Sequence, residues 1–276
     1  MIPKRLIFYW SGTNMSWLRY MSFYSARHFH KDWEIKLYYS PDIPDKSLPE
    51  RNDKPNEINY FNRLQDLGII LEEYDVDLRQ YRGRTKRGWK YIAAGQKCDI
   101  LQWQKLYEEG GIFCDSDILF LKPIDDELLT HDILTCFKSY YTIGFWGAKP
   151  KTEMMLDFYS NVFFTFDEDN YQSAGVTNIQ SVVRQKIGSP SSNKLRALRD
   201  SYPETDIFNI HFDSFYRWDY NNLANVFDKY VPTKDRQIGI HWYGGHKDSK
   251  PWIDLLNQDN FRNYGNTICR KIGEII

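Results

Sequence analysis

The sequence predicts an α/β protein with a mostly parallel central sheet flanked by helices, and three observations predict it. Short apolar runs at Leu6–Tyr9, Glu34–Tyr39 and Ile69–Tyr74 alternate with helix-forming stretches. This β-α-β-α-β order builds a parallel, doubly wound sheet. A helical stretch from Ile92 to Glu108 then closes on Gly110-Gly111, and the apolar run Ile112–Cys114 follows as a fourth, central strand. Glycine just past a helix end supplies the left-handed cap that lets the chain turn into the next strand. Finally, 276 residues suffice for one large α/β domain, or one with an appended subdomain, and for a sizeable core.

Each element has its local reason. Asn14 is the candidate cap of the first helix, in which Trp17, Tyr20, Met21, Tyr24 and His28 recur on one face. After the second strand comes a loop with Pro41, Pro44, Pro49 and Pro55, and the next helix ends at Gly68. A basic loop runs from Arg79 to Lys90. It holds Arg79, Arg82, Arg84, Lys86, Arg87 and Lys90, beside Trp89 and Tyr91. Past the fourth strand, Ile118–Leu121 with Pro123 predicts a short strand and a turn, Ile133–Phe137 another strand, and Thr152–Phe166 a helix. Residues 167–235 mix short helical stretches with aromatic loops, the pattern of a subdomain or lid. Gly239–Trp242 is the last strand, followed by a Gly-rich loop and a terminal helix. The expected organisation is a single domain over 1–276, in three parts: 1–125, 126–238 and 239–276.

Composition narrows the classes. The formal net charge of −1 demands no particular partner, and 42% hydrophobic residues with a mean hydropathy of −0.62 fit a soluble chain. No apolar run approaches membrane-spanning length, and the N-terminus enters a strand without the apolar core of a secretory signal. Aromatic residues make up 17%, with 20 Tyr and 9 Trp. Most are expected in the core, although aromatic surfaces also suit sugars and bases. Cys98, Cys114, Cys136 and Cys269 show no C-x-x-C spacing. Reduced thiols in a cytoplasmic protein are the expectation, and a zinc site is not.

Two clusters carry chemistry. Asp115-Ser116-Asp117 follows the central strand directly. In α/β sheets ligands sit outside the carboxyl ends of the strands. Two carboxylates there suit a hard divalent cation that also binds a diphosphate, and they suit an ordinary turn equally well. The second cluster runs from His241 through Gly244, Gly245, His246 and Lys247 to Lys250-Pro251-Trp252. Imidazole completes a metal's coordination, glycines let backbone approach phosphate oxygens, and lysine supplies a point charge. Taken alone, His241 reads more simply as a buried histidine beside a turn; with the acidic pair the ligand-binding reading gains.

The stretch Cys98-Asp99, Gln102, Leu106-Tyr107, Gly110-Gly111, Asp115-Ser116-Asp117 and Leu121-Lys122-Pro123 resembles the DXD sugar-binding region of glycosyltransferase family 32. That group includes capsule-type sugar transferases and initiating mannosyltransferases, and clostridial glucosylating toxins carry a similar core. Ile2-Pro3-Lys4 with Tyr9-Trp10 resembles the group's opening strand, and Phe145 to Pro150 its mid-chain segment. His241-x-x-Gly244 with Lys250-Pro251-Trp252 resembles the closing motif of the glycogenin-like family, with a small insertion. The resemblance covers roughly the first half of the chain and the C-terminal cluster.

The resemblance implies a GT-A fold, a nucleotide-sugar donor such as a UDP-sugar, Mn²⁺ or Mg²⁺, and retention of anomeric configuration. It makes 1–125 the nucleotide-sugar-binding half, 126–238 the acceptor-side region and 239–276 the metal and diphosphate motif. Asp117, Asp115 and His241 would be the metal ligands, with Asp115 also near ribose or donor sugar. Asp99 would hold a donor-sugar hydroxyl and Trp10 would stack on the base. Gly244 and Lys250 would contact the diphosphate, with Lys247 and Trp252 beside them. Asp115, Asp117, Asp99 and Lys250 form the implied catalytic set. Gln102 stands where the group usually has Arg, so donor identity stays open, and Lys247, Lys250 or the basic loop would have to compensate. The implied transfer passes through an oxocarbenium-like state, with front-face attack by the acceptor hydroxyl and the leaving phosphate taking its proton.

The acceptor stays open between a glycan or lipid-linked saccharide and a hydroxymethylated DNA base. The second option needs a phosphate-contacting stripe and a flipped base, for which Arg84, Lys86, Arg87 and Trp89 are the candidates; the basic loop reads equally as a solvated face. Two rivals come from other classes. A haloacid-dehalogenase-type phosphohydrolase also places D-x-D after a strand, but expects Thr or Val where this chain has Leu119. A non-catalytic nucleotide-sugar-binding module would not need the acidic pair together with His241. The oligomeric state is not legible.

Overall fold

Leu6, Phe8 and Trp10 on one side of the first strand, and Ile7 and Tyr9 on the other, are all buried. A strand covered on both faces belongs inside a layered α/β sheet. In the computed structural model, which describes residues 1–41, 58–75 and 92–276, this is so. The strands are β1 (Arg5–Ser11), β2 (Glu34–Ser40), β3 (Ile70–Glu73), β4 (Gly111–Cys114), β5 (Ile118–Phe120), β6 (Ile133–Thr135), β7 (Phe145–Ala148), β8 (Ile207–Asn209) and β9 (Gly239–His241). Seven form the central sheet, in the order β3-β2-β1-β4-β7-β6-β8. From β3 to β4 every pairing is parallel. Beyond β4 the strand direction alternates: β7 runs antiparallel to both β4 and β6, and β6 pairs in parallel with β8. This is the mostly parallel α/β sheet that the sequence predicts, with β4 at its centre.

The helices are α1 (Trp17–Phe29), α2 (Ala94–Glu108), α3 (Glu153–Thr165), α4 (Val176–Ile187), α5 (Lys194–Ser201), α6 (Asp213–Tyr216), α7 (Ala224–Phe227), α8 (Lys250–Leu255) and α9 (Thr267–Ile275). On one face of the sheet, Ile7 and Tyr9 meet Trp103 of α2, Phe158 of α3 and Ile179 of α4 in one core. On the other face, Leu6 and Phe8 meet Phe23 and Ala26 of α1. A third core joins Trp17, Leu18 and Met21 of α1 to Trp242, Ile253, Ile268 and Ile272. It ties the C-terminal helices to the N-terminal half. Trp103, Trp146 and Phe158 pack edge-to-face at 5.1 to 5.8 Å, so these aromatics are core, as expected. Among the described residues no helix is long and apolar enough to cross a membrane.

Four expectations change in detail. Ser16, not Asn14, caps α1: its side chain accepts the Arg19 N–H at 3.3 Å. Asn14 instead accepts the Trp10 indole N–H on its carbonyl at 3.0 Å. Trp10 lies within β1 rather than just past it. The short strand after the acidic pair and the last strand leave the central sheet and pair with each other, antiparallel. Finally, β7 and β8 are strands that the sequence does not announce. In β7, Gly147 sits where a Cβ would lie 3.0 Å from that of Leu134; close backbone packing, not side-chain alternation, makes this strand. The basic loop with Arg84, Lys86, Arg87 and Trp89 lies outside the described residues.

Two predictions arise from the frame. Gly110 has φ 67°, and a Cβ there would lie 2.6 Å from Pro150 Cδ and 2.9 Å from the Ala148 carbonyl oxygen. Both obstacles are backbone or ring. Gly110→Ala is expected to cost about 3 kcal/mol, because steric overlap adds to the left-handed backbone penalty. Gly68 also has positive φ, at 68°, in the left-handed region, but a Cβ there meets nothing nearer than Arg27 Nη2 at 4.0 Å, so Gly68→Ala should cost only about 1 kcal/mol. Urea titrations of the two variants check the contrast.

The second prediction concerns pH. The buried His30 ring donates from Nδ1 to the Ala26 carbonyl at 2.9 Å and accepts the Ile124 N–H on Nε2 at 3.1 Å. It is therefore held neutral, and burial pushes it below its ordinary 6.5. The unfolded chain takes up a proton below that value while the folded one resists. The His30 contribution is complete above 6.5 and is lost as pH falls towards the lower folded value. Urea midpoints taken from about pH 7.5 to about pH 5 should fall, and His30→Gln should flatten that slope.

Candidate active site

The site begins at the carboxyl end of β4. The Asp115 N–H bonds the Gly144 carbonyl at 2.8 Å, and a tight turn closes with the Ile118 N–H on the Asp115 carbonyl at 3.2 Å. The chain then enters β5, whose pairing sets Ile118 opposite His241. The Trp242 N–H extends the ladder to the Asp117 carbonyl at 3.0 Å. Residues more than a hundred positions apart thus meet because two three-residue strands pair.

His241 Nε2 lies 2.9 Å from Asp117 Oδ1 and 3.5 Å from Asp115 Oδ2. The short approach to Asp117 Oδ1 is not aligned as a hydrogen bond, and that buried oxygen has no hydrogen-bond partner among the described residues. Asp117 Oδ2 is occupied: it accepts the Gly244 N–H at 2.6 Å, and the Arg19 guanidinium stands 3.7 Å away. Asp117 therefore has one oxygen fixed from behind and one presented to His241 and Asp115. One ligand atom from each of the three residues lies within 4.8 Å of the others. Two carboxylate oxygens and an imidazole nitrogen form a donor set for a hard or borderline divalent cation, and the orphaned Oδ1 points the same way. The residues fit Mn²⁺ or Mg²⁺.

The His241 ring is held by its neighbours. The Tyr243 ring centroid is 4.0 Å away and Tyr216 meets it edge-on at 5.3 Å. Tyr243 adopts φ 50°, a left-handed conformation costly for a residue with a Cβ. Burial alone would push the His241 ring towards neutrality, but the charges of Asp117 and then Asp115 raise it above its ordinary value, with Arg19 opposing. Burial likewise opposes charge on Asp117. The His241 ring, the Arg19 guanidinium and the Gly244 N–H outweigh it and hold this carboxyl well below the usual carboxylate range. Burial keeps the Tyr216 phenol neutral.

Cys98 on α2 reaches Asp115, its sulfur 4.0 Å from Oδ1, so the first turns of α2 border the site. Asp99, on the same turn, is buried, its carboxylate filling the space that a Cβ on Gly175 would take. Gln102, one turn further along α2, is fully buried, and both its amide atoms lack a partner among the described residues. Trp10 is also buried, and the Arg19 guanidinium lies over its ring at 4.9 Å. Gly244 spends its N–H on Asp117. Lys247 and Lys250 are exposed, and Trp252 stacks on Phe227 at 5.8 Å and meets Tyr264 at 5.4 Å.

Sequence reasoning misses Arg19. It is nearly buried, between the rings of Trp10 and Trp242 at 4.9 and 4.7 Å, with Ser116 Oγ 3.5 Å from Nη1. A Cβ on Gly244 would lie 2.4 Å from Arg19 Nη2, so glycine there makes room for this side chain. The one available signal was an arginine in the otherwise aromatic and apolar stretch Trp17–Met21.

No protein-family model matches this chain, and no curated protein matches it. Solved structures do. The PaToxG glycosyltransferase is 18% identical over 73% of this chain and 78% of that one, with a TM-score of 0.49. The glycosyltransferase GlyE of Streptococcus pneumoniae TIGR4 is 11% identical over 98% of this chain, with a TM-score of 0.43, and this chain spans 60% of its length. The galactosyltransferase LgtC, solved with donor and acceptor sugar analogues, is 12% identical over 94% of this chain and 99% of that one, with a TM-score of 0.40.

Proposed function

We propose that this chain is a metal-dependent, retaining GT-A glycosyltransferase that moves a sugar from a nucleotide-sugar, such as a UDP-sugar, to an acceptor hydroxyl. The observation that carries this is the meeting of Asp115, Asp117 and His241 at the carboxyl end of the central strand. Those three residues would hold Mn²⁺ or Mg²⁺, which when bound supplies positive charge for the leaving diphosphate. The chain's own groups do the rest. Tyr216 and Tyr243 fix the His241 ring, and the Gly244 N–H and Arg19 fix Asp117. Asp99 is a buried acceptor suited to a sugar hydroxyl. The Gln102 amide, without a partner among the described residues, favours an uncharged partner, since buried polar atoms are otherwise satisfied. Lys247 and Lys250 would meet the diphosphate and Trp10 the base. The three-part division at 125 and 238 belongs to the same proposal.

A saccharide acceptor has support from the described residues. Tyr140 and Tyr220 are 43% and 53% exposed, and Tyr220 meets Tyr243, which covers His241. Tyrosine rings open to solvent beside the site offer apolar faces and hydroxyls together, which suits a sugar. The DNA-base reading rests on the basic loop alone. Against a phosphohydrolase, the second aspartate is poorly suited to act as an acid: the His241 ring, Arg19 and the Gly244 N–H hold it ionised.

The test is a screen of nucleotide-sugars with Mn²⁺ for slow donor hydrolysis. Turnover of one donor, lost with a chelator and restored by Mn²⁺, is the expected result. No hydrolysis or transfer with any donor, alongside phosphomonoester cleavage, would overturn the proposal.

A further inference from the structure

Tyr216 steadies the His241 ring, but its hydroxyl has no part in that packing. The phenol ring stacks on Phe212 at 5.3 Å and meets His241 edge-on, also at 5.3 Å. The residue ends α6 and is buried, so its side chain has little freedom. The hydroxyl is sealed from solvent and has no hydrogen-bond partner among the described residues. Thr142 lies beside it but is not aligned with it, and the Thr142 hydroxyl donates to the Cys136 carbonyl at 3.0 Å. A buried hydroxyl left unpaired costs stability, and phenylalanine would pack against the same rings without that cost. Such orphaned groups in a folded protein call for a reason.

The place of the hydroxyl supplies one. It lies 3.0 Å from the point that a Cβ on Gly144 would occupy, and Asp115 Oδ2 lies 2.3 Å from the same point. The two groups share an edge of the site without bonding each other. Their chemistry suits a third group. An ionised carboxylate only accepts, with about four lone-pair sites, so Asp115 can take a further partner beside those it already has. A phenol has one hydrogen to give. An alcohol placed between them gives its hydrogen to the carboxylate and takes that of the phenol on its oxygen. A phosphate oxygen or a second carboxylate would be repelled by Asp115, and an ammonium has no lone pair for Tyr216. The Asp115 side chain is 31% exposed, which gives a ligand a way to the edge that the two share.

We propose that Asp115 and Tyr216 together bind one hydroxyl of the donor sugar, and that Tyr216 is the residue that demands an oxygen at that position. The inference rests on the glycosyltransferase reading, in which the sugar carried to the acidic cluster is the one joined to the nucleotide. Its consequence is specificity. A site that hydrogen-bonds a hydroxyl with buried groups rejects the analogue lacking it, because those groups are then left unpaired.

The full-length protein is assayed for Mn²⁺-dependent hydrolysis of the donor found by screening, and of the monodeoxy analogues of that donor, in the wild type and in Tyr216→Phe. The variant keeps the ring against His241 and removes only the oxygen. For the parent donor kcat/KM is expected to fall by about thirtyfold. Binding of the free nucleoside diphosphate with Mn²⁺ should be unchanged. The wild type should reject one deoxy analogue by about a hundredfold or more. That one penalty should shrink by about tenfold in Tyr216→Phe while the penalties at other positions stay as they were. The urea midpoint of the variant should equal or exceed that of the wild type, since no bond is lost.

Equal hydrolysis of the parent donor by the wild type and Tyr216→Phe would overturn the assignment and leave the glycosyltransferase reading standing. So would a loss spread evenly over all the analogues, or weaker diphosphate binding, either of which makes Tyr216 only a support for His241. A lowered urea midpoint would do the same by giving the hydroxyl a partner within the protein. A wild type that hydrolyses no nucleotide-sugar would overturn the reading and this inference with it.

Discussion

Asp117→Asn is expected to remove metal-dependent donor hydrolysis and transfer, by about a thousandfold or more. The structure gives the reason atom by atom. Gly244 donates its N–H to Oδ2, so an asparagine at this position places its carbonyl there. Its NH₂ then takes the place of Oδ1, facing His241 and Asp115, and a nitrogen with two hydrogens cannot ligate a cation. The fold should survive, because the substitution is isosteric and the backbone pairing of Asp117 with Trp242 is untouched. Stability should nevertheless drop by about 2 kcal/mol, since Arg19 keeps its buried charge and loses its carboxylate. The checks are Mn²⁺-dependent hydrolysis of the donor found by screening, Mn²⁺ binding without donor, and a urea titration. A folded Asp117→Asn protein that still hydrolyses donor in a metal-dependent way would remove Asp117 from the ligand set.

What was legible in the sequence follows from what is local. Asp115 and Asp117 could be placed at a strand end because a helix, two glycines and an apolar run precede them without interruption. His241 could be paired with them because a strand and a glycine turn flank it. The pairing that unites them, β5 with β9, involves only three residues on each side, too few for a periodic signal. It reads as two ordinary sheet strands until the structure separates them. Gly244 has a structural role that its motif does not announce: its N–H holds Asp117, and its missing side chain admits Arg19. Arg19 was invisible because the helical face marked by Trp17, Tyr20, Met21 and Tyr24 turns it away from the expected core. The C-terminal layer packs on the marked face itself, with Trp17 and Met21 in its core and Trp242 reaching the guanidinium, and local periodicity carries no information about a layer that arrives more than two hundred residues later.

Three glycines have a shared role that no motif announces. A Cβ on Gly144 would lie 2.3 Å from Asp115 Oδ2, one on Gly175 would lie 2.4 Å from Asp99 Oδ2, and one on Gly244 would lie 2.4 Å from Arg19 Nη2. Each stands where a charged side chain needs space beside backbone. The three charges come from the turn after β4, from α2 and from α1, and the glycines from three other segments. Charged groups so confined have few alternative rotamers, which is how a site is held to the small tolerances that transfer chemistry needs.

This arrangement predicts that Gly144→Ala acts on the site and hardly on the fold. No left-handed φ is needed at Gly144, and the atoms in the way are side-chain ends: Asp115 Oδ2, and the Tyr216 hydroxyl at 3.0 Å. Those ends yield more cheaply than the backbone obstructing Gly110. The cost to stability should stay at about 1 kcal/mol. Asp115 must swing away, however, and it stands only 3.5 Å from His241 Nε2, so the three-ligand geometry breaks. Donor hydrolysis should fall by about a hundredfold, and Mn²⁺ affinity should fall with it. Gly273→Ala, in α9 with no atom nearer than 3.8 Å to the added Cβ, is the matched control and should leave both unchanged. If Gly144→Ala keeps full activity, the position of Asp115 is not needed, and the metal would have to be held by Asp117 and His241 with a group other than Asp115. If it loses activity while keeping Mn²⁺ affinity, Asp115 acts on ribose or sugar rather than on the metal, and the two roles that the sequence left joined in one residue come apart.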